Sequence, residues 1–394
     1  MKRELPPLTK KEDALAMLFE RWKPTRQTEA VPLSEAAGRV LAEDQLADWN
    51  IPVVRASTMD GIAVLAERFR DGVPDTSGWV IGRDYVRADT GDDFPDGFDA
   101  VIAIEDVTAL EGGGIRLAEG LEVRSGDNVR PCGSDVKAKS LLKAAGSVLT
   151  ARDLAVIGLR GVTEIPVVRK PRVAFLPTGS ELVPVGAPLQ RGKNYDTNSL
   201  MARTLLLQMG AEPVMHGIVP DDPDRIREAF EELLGKADVV LLNAGTSKGS
   251  EDYCARLLAE RGQALFHGVA AVPGRPMSMA VVDGKAVVNL SGPTVGCLHS
   301  FYWAVRPIVC RALGIPVPAP RTARAVLTGP VSTQKELSKM CLFRIERDGT
   351  GGYTAAPLPL HGPKADALTA DGIYMTEPGE APHAAGDILE IEWL

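Results

Sequence analysis

Acids placed beside glycine- and hydroxyl-rich loops are the residues of this chain best suited to chemistry on a phosphorylated ligand. Three times between Arg172 and Arg311 an apolar run passes straight into such a loop. Val173-Ala174-Phe175-Leu176 leads into Thr178-Gly179-Ser180-Glu181, Val239-Val240-Leu241-Leu242 into Gly245-Thr246-Ser247-Lys248-Gly249, and Ala286-Val287-Val288-Asn289-Leu290 into Ser291-Gly292-Pro293-Thr294. At a helix start, a loop of this kind offers backbone N–H groups, hydroxyls and the positive end of the helix dipole, and the combination holds anions. Each loop alone is also what an ordinary strand-to-helix turn with a capping hydroxyl looks like. Three in one segment point to a crevice along the C-terminal edge of a mostly parallel sheet. Glu181 and Asp252 fall just beyond the first two loops. Such carboxylates suit Mg2+ or another divalent cation, a hard ion that bridges carboxylate to phosphate oxygens.

Other candidates lie outside these loops. In Ser57-Thr58-Met59-Asp60-Gly61, Asp60 either points a carboxylate from a turn or caps its own backbone. The polar stretch 126–135 holds Arg130, suited to clamping a phosphate or a heterocycle edge, and Asp135, suited to a metal or to base catalysis. The same pair also suits a structural salt bridge. In Val272-Pro273-Gly274-Arg275-Pro276 two prolines fix the chain and Arg275 projects a charge. His216 and His267, in or beside strands, read as packed or edge residues rather than metal ligands. No Walker loop, dinucleotide fingerprint or Ser/His/Asp set stands out.

The elements that must carry these residues follow from periodicity. Ala14, Leu15, Leu18, Phe19 and Trp22 have helical spacing over 10–22, and Pro24 ends that helix. Ser34 to Ala42 reads as a second short helix with Ser34 as its N-cap. Residues 50–145 alternate short β-type runs, among them 78–82 and 100–104, with Gly/Asp turns. A helix over 151–159 follows. From 171 to 314 strands and helices alternate. A helix begins at 196–198 with Leu200, Thr204 and Leu207 on its face, and Asp222-Pro223 opens another. Asp283-Gly284 closes a hairpin. Short strands return beyond the proline-rich 315–320. The division expected is N-terminal and linking helical segments at 1–48 and 146–170, a β-rich domain at 49–145, an α/β domain at 171–314 and a small β domain at 315–394.

Composition sets the class. At 394 residues the chain exceeds a single core. Hydrophobic residues at 45% and charged residues at 24% are ordinary for a soluble protein, and a net charge of −8 argues against broad nucleic-acid binding. No apolar core of signal-peptide or membrane-span length appears. Five scattered cysteines without a Cys-x-x-Cys pair read as reduced thiols, mostly packing residues, in a bacterial-type cytoplasm.

Taken in order, the motifs at 57–61, 87–91, 98–102, 126–135, 177–182, 195–198, 219–223 and 245–253 resemble those of the MoeA / gephyrin E-domain family, the molybdopterin molybdenumtransferases, essentially end to end. The resemblance implies an elongated, multi-domain α/β plus β protomer. Its parts are a MogA-like doubly wound α/β molybdopterin-binding domain, a β-rich insert domain and a C-terminal β barrel. It implies a homodimer whose site lies between two chains. It also implies a reaction in which adenylylated molybdopterin is hydrolysed at its pyrophosphate with a divalent metal, molybdate is inserted, and AMP and molybdenum cofactor leave. Carried over by position, Asp60 and Asp135 match essential aspartates, and Glu181 and Asp252 match metal-binding and catalytic carboxylates. Thr90 and Arg130 fall on ligand-contacting positions. The cofactor loops are Thr178, Gly179 and Ser180; Asp196 and Asn198; Gly245, Thr246, Ser247 and Gly249; Ser291, Gly292 and Thr294.

The oxyanion residues depart from the family pattern. Its Pro-Gly-Asn-Pro is here Ser291-Gly292-Pro293-Thr294, its Gly-Gly-Val-Ser is Ala244-Gly245-Thr246-Ser247, and its Lys-Pro-Gly-Lys is Val272-Pro273-Gly274-Arg275. Arg344 keeps an expected arginine, while the expected serine falls near Pro363-Lys364. Arg275, Arg344 and Lys364 are then the cations available to molybdate, with Lys248 and Lys364 as candidates to replace the lost lysine. The competing expectations are a tungstate-specific form, a paralogue that binds molybdopterin or scaffolds other cofactor-biosynthesis proteins without catalysis, and an unrelated sugar-phosphate or nucleotide hydrolase on a similar α/β core.

Overall fold

Strands covered on both faces need unbroken apolar runs, and the three runs ahead of the loops have that form. The computed structural model describes residues 8–111, 113–244, 250–349, 351–360 and 362–394, with 244 and 250–252 given by secondary structure alone, and it sets the three runs side by side in one sheet. The chain divides into two compact units, Met1–Thr28 with Val168–Leu394, and Glu29–Val167.

In the first unit the order is α1 (Lys11–Arg21), β1 (Arg172–Pro177), α2 (Asn198–Gln208), β2 (Glu212–Met215), α3 (Pro223–Lys236), β3 (Val239–Ala244), α4 (Ser250–Arg261), β4 (Gln263–His267), β5 (Ser278–Val282) and β6 (Lys285–Ser291). The sheet order is β2-β1-β3-β6-β5-β4. β2, β1, β3 and β6 are parallel, and β5 and β4 return antiparallel. Asp283 and Gly284, both with positive φ, make the tight turn between β5 and β6. Register puts Pro177 beside Asn243 and Ala244 beside Ser291, so the three loops leave one edge. One sheet face, with Ala174, Leu176, Val240, Leu242 and Val287, is packed against Ile226, Phe230 and Leu233 of α3 and Leu257 of α4. Each of these Val, Leu, Ile and Phe side chains contributes roughly 1.5–3 kcal/mol by burial. Asp222 caps α3 by accepting from the N–H groups of Asp224 and Arg225, and Pro223 fits its first turn.

After β6 comes α5 (Thr294–Ser300), which passes through a wider π turn at Phe301–Val305 into α6 (Arg306–Leu313) and stops at left-handed Gly314. β7 (Thr322–Leu327), β8 (Ser338–Arg347), β9 (Tyr353–Leu358), a short helix α7 (Lys364–Leu368), β10 (Gly372–Thr376) and β11 (Ile388–Trp393) complete the unit. These five strands close into a barrel in the order β8-β9-β7-β11-β10-β8. Alternation along β7 turns Ala323, Ala325 and Leu327 inward. Met340, Leu342 and Ala367 of the barrel segment pack with Val295 of α5, which docks the barrel on the sheet domain.

In the second unit Gly61–Val64 lies between Val86–Ala88 and Ala100–Ala103. Ile62 and Val64 enter one core with Phe69, Ile102 and Leu117, while Ala63 enters another with Ala88, Phe94, Phe98 and Val101. Thr28–Pro32 pairs with Glu164–Val168, and Thr150 opens the helix Ala151–Gly158 with a capping box to Asp153.

Three expectations are corrected. The helix expected over 34–42 is only a 3-10 turn at Leu33–Glu35. Gly38 turns with φ +77, and the N–H groups of Gly38 and Leu41 go to Leu149 and Ser147, so strand-like pairing takes the backbone. The run 78–82 is not a strand. The Asp84 carboxylate accepts the Val80 N–H and pairs with Arg68 and Arg83, closing a turn there. On α2 the buried face is Asn198, Ala202 and Leu206, and Leu200 and Leu207 are exposed. That helix carries apolar residues nearly all round, so spacing alone did not select the face.

Gly61 meets backbone, not a flexible side chain. A Cβ there would lie 1.9 Å from the Ile102 carbonyl oxygen. Gly61→Ala should cost about 3 kcal/mol or more, because neither strand can retreat without losing its ladder. Denaturant unfolding of the full chain checks this, and a loss under about 1 kcal/mol would exclude so tight an approach.

Candidate functional site

Where β1, β3 and β6 end, the chain leaves a cleft of about 330 Å3 whose lining includes Thr178, Glu181, Asp196, Asn198, Asn243, Gly292, Thr294 and Lys364. Two amides clamp its floor. Asn198 Nδ2 donates to Asn243 Oδ1 at 2.9 Å and to the Gly292 carbonyl at 2.7 Å. Asn243 Nδ2 donates to the Ser291 carbonyl at 2.8 Å. The start of α2 and the ends of β3 and β6 are thereby tied together. Asn198 Oδ1 is buried and accepts no bond among the described residues.

The three loops do not contribute alike. In the first, the expected free donors are already used: Thr178 N–H goes to the Asn243 carbonyl, Gly179 N–H to Val219, and Ser180 N–H to the Asp221 carboxylate, each at 3.0 Å. Ser180 Oγ in turn accepts the Asp221 N–H. Backbone satisfaction at the sheet edge overrides anion binding by these N–H groups, so the free backbone donors expected of Thr178, Gly179 and Ser180 are corrected, while Thr178 still lines the cleft. What this loop offers instead is Glu181, whose carboxylate takes no hydrogen bond among the described residues. Gly179 makes room for it, since a Cβ there would lie 2.7 Å from Glu181 Oε2. Asp196 is also committed, its two oxygens accepting from Ser199 N and Ser199 Oγ at the start of α2. The third loop is different. The first helical bond of α5 runs from Cys297 N to Pro293 O. Among the described residues no acceptor takes the N–H groups of Thr294, Val295 and Gly296, which are the orphan donors of a helix start. Gly245, Thr246, Ser247, Lys248, Gly249 and the side chain of Asp252 lie outside the described residues.

Of the three cations expected at the oxyanion, only Lys364, from α7, lines the cleft. Arg344 is bound to the Thr369 carbonyl and hydroxyl and to Asp371 at the barrel. The Arg275 side chain is exposed, and its carbonyl accepts from Val269 and Met277. Among the described residues no three His, Cys, Asp or Glu side chains gather to hold a metal ion.

Asp60, Thr90, Arg130 and Asp135 belong to the second unit. Asp60 Oδ1 accepts the Thr90 N–H at 2.7 Å, and this bond, with the Arg87 charge as a smaller cause, holds the carboxyl below its usual range. Arg130 and Asp135 form an ion pair at 3.2 Å, both about half exposed. The strand Ala56–Ser57 pairs with Val129–Arg130, and Thr58 N–H reaches Asn128, so the Asp60 turn and the 126–135 loop are neighbours.

Two residues escaped the sequence reading. Asn243 ends an apolar run, and its one signal was an amide in register with the other loop starts. His299, between Leu298 and Ser300 in α5, is fully buried, with Nδ1 2.5 Å from the Pro273 carbonyl oxygen. His216 is half-buried at a strand end and His267 is exposed, in keeping with edge positions.

Residues 9–161 match the model of the MoeA N-terminal region (domain I and II), and 174–311 that of a probable molybdopterin binding domain. The molybdopterin molybdenumtransferase of Haemophilus influenzae is 33% identical over 315 residues, which are 77% of each chain. The chain belongs to the MoeA family. The Bacillus subtilis member is 32% identical over 320 residues, 77% of this chain and 74% of its own. The crystal structure of a molybdopterin biosynthesis MoeA protein from Pyrococcus horikoshii matches with a TM-score of 0.83 at 27% identity, over 98% of this chain and 99% of that one. The MoeA fold thus extends over both units and the closed barrel.

Burial pushes the His299 imidazole down to about 4, so it is neutral at neutral pH. An unfolded chain takes up this proton near pH 6.5 and the folded one only near 4. Stability is therefore full above about pH 6.5 and declines as pH falls toward 4. Between those limits the unfolding free energy of His299→Asn should fall less steeply than that of wild type, by at most about 1.4 kcal/mol per pH unit. Parallel slopes in urea titrations would show that the ring titrates normally.

Proposed function

We propose that this MoeA-family chain is the metal-inserting transferase of molybdenum cofactor biosynthesis, taking adenylylated molybdopterin and molybdate to molybdenum cofactor and AMP. The observation that carries this is the cleft, which joins an open helix N-terminus, an uncommitted carboxylate and an ammonium group. The N–H groups of Thr294, Val295 and Gly296 hold diphosphate oxygens with the α5 dipole behind them. Asn198 Oδ1 accepts from a ligand N–H, such as a pterin amino group. Lys364 attracts the oxyanion substrate, and Arg275, exposed and outside the cleft lining, is proposed to add the second charge.

Among the described residues the cleft lining carries oxygen donors and neither Cys nor His, which suits a hard ion. Glu181 and Asp252 would hold Mg2+ or another divalent cation, which supplies charge neutralisation on the phosphates. Hydrolysis adds water oxygen to one phosphorus as the bridging P–O bond breaks, with AMP as the leaving group. The protein then needs mainly to orient and to stabilise charge. Asp60 and Asp135, with Thr90 and Arg130, are proposed as essential residues of the same reaction, contributed by the partner chain of a homodimer. The scattered cysteines, without a Cys-x-x-Cys pair, fit a reducing, cytoplasmic setting.

Purified enzyme should release AMP from adenylylated molybdopterin, with molybdopterin metallated when molybdate is present. No AMP from active-purity protein would end the proposal. Glu181→Gln should lower kcat by about 100-fold or more, and Lys364→Ala should raise the molybdate KM about tenfold at nearly constant kcat. Running the same titration with tungstate reads which oxyanion is preferred. Mixing Asp60→Asn with Glu181→Gln subunits should recover about a quarter of wild-type activity if each site draws on two chains. No recovery from exchanged subunits would place both acids in one chain.

A further inference from the structure

Two segments 26 residues apart meet at one buried imidazole. A carbonyl oxygen only accepts, so His299 Nδ1 carries the proton and donates it to Pro273. Nε2 then bears the lone pair, and it is buried with no partner among the described residues. The ring therefore has a single polar use, which is to hold the 272–275 loop. The contact around it is close. Gly274 has φ +102, and a Cβ there would lie 3.4 Å from the Gly296 carbonyl oxygen, 3.5 Å from Ser300 Oγ and 3.7 Å from His299 Nδ1. A Cβ on Gly296 would lie 2.7 Å from Ser291 Oγ and 3.3 Å from Gly274 N. The third loop, the start of α5 and the 272–275 loop thus pack backbone to backbone. On the other side the Arg275 carbonyl accepts from Val269 and Met277, both at 3.0 Å.

Histidine is a poor filler for this position. Its neighbours Cys297, Leu298 and Phe301 are buried, and an aliphatic side chain would fill the space without an unpaired ring nitrogen. Leaving that nitrogen buried and unpaired costs more than one neutral hydrogen bond returns. A group kept at a net loss to stability, with its one bond made to a loop carbonyl, has the form of a device for placing that loop.

We propose that His299 is a positioning residue for the oxyanion step. It pins the Pro273 carbonyl, and with it the root of Arg275, against the 291–294 loop, so that the guanidinium is held ready for molybdate. This rests on the assignment of Arg275 to the oxyanion under the proposed function.

The test compares His299→Leu, which removes the donor, with His299→Asn, which keeps an N–H near the Nδ1 position, and Arg275→Ala. Hydrogen exchange at the amides of Val269 and Met277 needs no substrate and reads the anchor alone. His299→Leu should speed that exchange about tenfold and raise the molybdate KM about tenfold, with kcat and the KM for adenylylated molybdopterin within about twofold of wild type. His299→Asn should return both to within about threefold. The double variant His299→Leu/Arg275→Ala should be no worse for molybdate than Arg275→Ala alone, because the two act through one group. If His299→Leu does not fold, Gly274→Ala strains the same junction and must give the same KM shift. Unchanged exchange in His299→Leu overturns the anchor. Changed exchange with an unchanged molybdate KM overturns the positioning role, as does an unchanged molybdate KM in Arg275→Ala. A wild-type enzyme that releases no AMP defeats the proposed function instead, and the exchange readout still decides the anchor.

Discussion

The side-chain amides of Asn198 and Asn243 set the geometry on which the cleft depends. Parallel strands end in loops whose carbonyls would otherwise point into an apolar edge without partners. Asn243 reaches across to Ser291, and Asn198 reaches both Asn243 and Gly292. With these bonds made, the ends of β3 and β6 and the start of α2 cannot drift apart. A sheet edge held in this way can present a helix N-terminus at a fixed distance from a carboxylate.

The polar groups near the site divide into those already satisfied and those left open. Asp221, Asp196, Arg344 and the donors of 178–180 hold loops and barrel in place. Glu181, the first N–H groups of α5, and Asn198 Oδ1 are left without partners among the described residues. Unsatisfied groups in a folded protein cost free energy, and their gathering in one cleft marks where a ligand completes the bonding. The net charge of −8 does not oppose an anionic ligand, because a helix start and a nearby ammonium act over a few ångströms while distant charges are screened.

Legibility in the sequence followed the range of the interactions. The parallel strands and α3 were readable because burial on both faces and the Asp222-Pro223 cap are written locally. The hairpin at Asp283-Gly284 was readable for the same reason. The fate of the first loop was not. Its Gly-Ser-Thr composition looks the same whether its N–H groups face a ligand or are taken by Val219 and Asp221, which arrive from some forty residues away. Likewise Arg344 had the right type, but Thr369 and Asp371 had claimed it. His299 carried no signal beyond being a polar residue in a mostly apolar run, since its partner is a backbone carbonyl that no sequence pattern records.

The barrel bears on the site through α5 rather than as a separate wall. Val295 lies one residue beyond Thr294, and it packs with Met340, Leu342 and Ala367. Ala367 shares α7 with Lys364, so the apolar contact that docks the barrel also fixes where the ammonium stands relative to the helix start. Burial of this kind is non-directional, but between two rigid elements it leaves little freedom of translation. Electrostatics alone would not do this, because a lysine on a mobile segment would hold an anion only at an entropic cost. Hydrophobic packing at Val295 therefore does part of the work of recognition, by deciding where a charge sits before any ligand arrives.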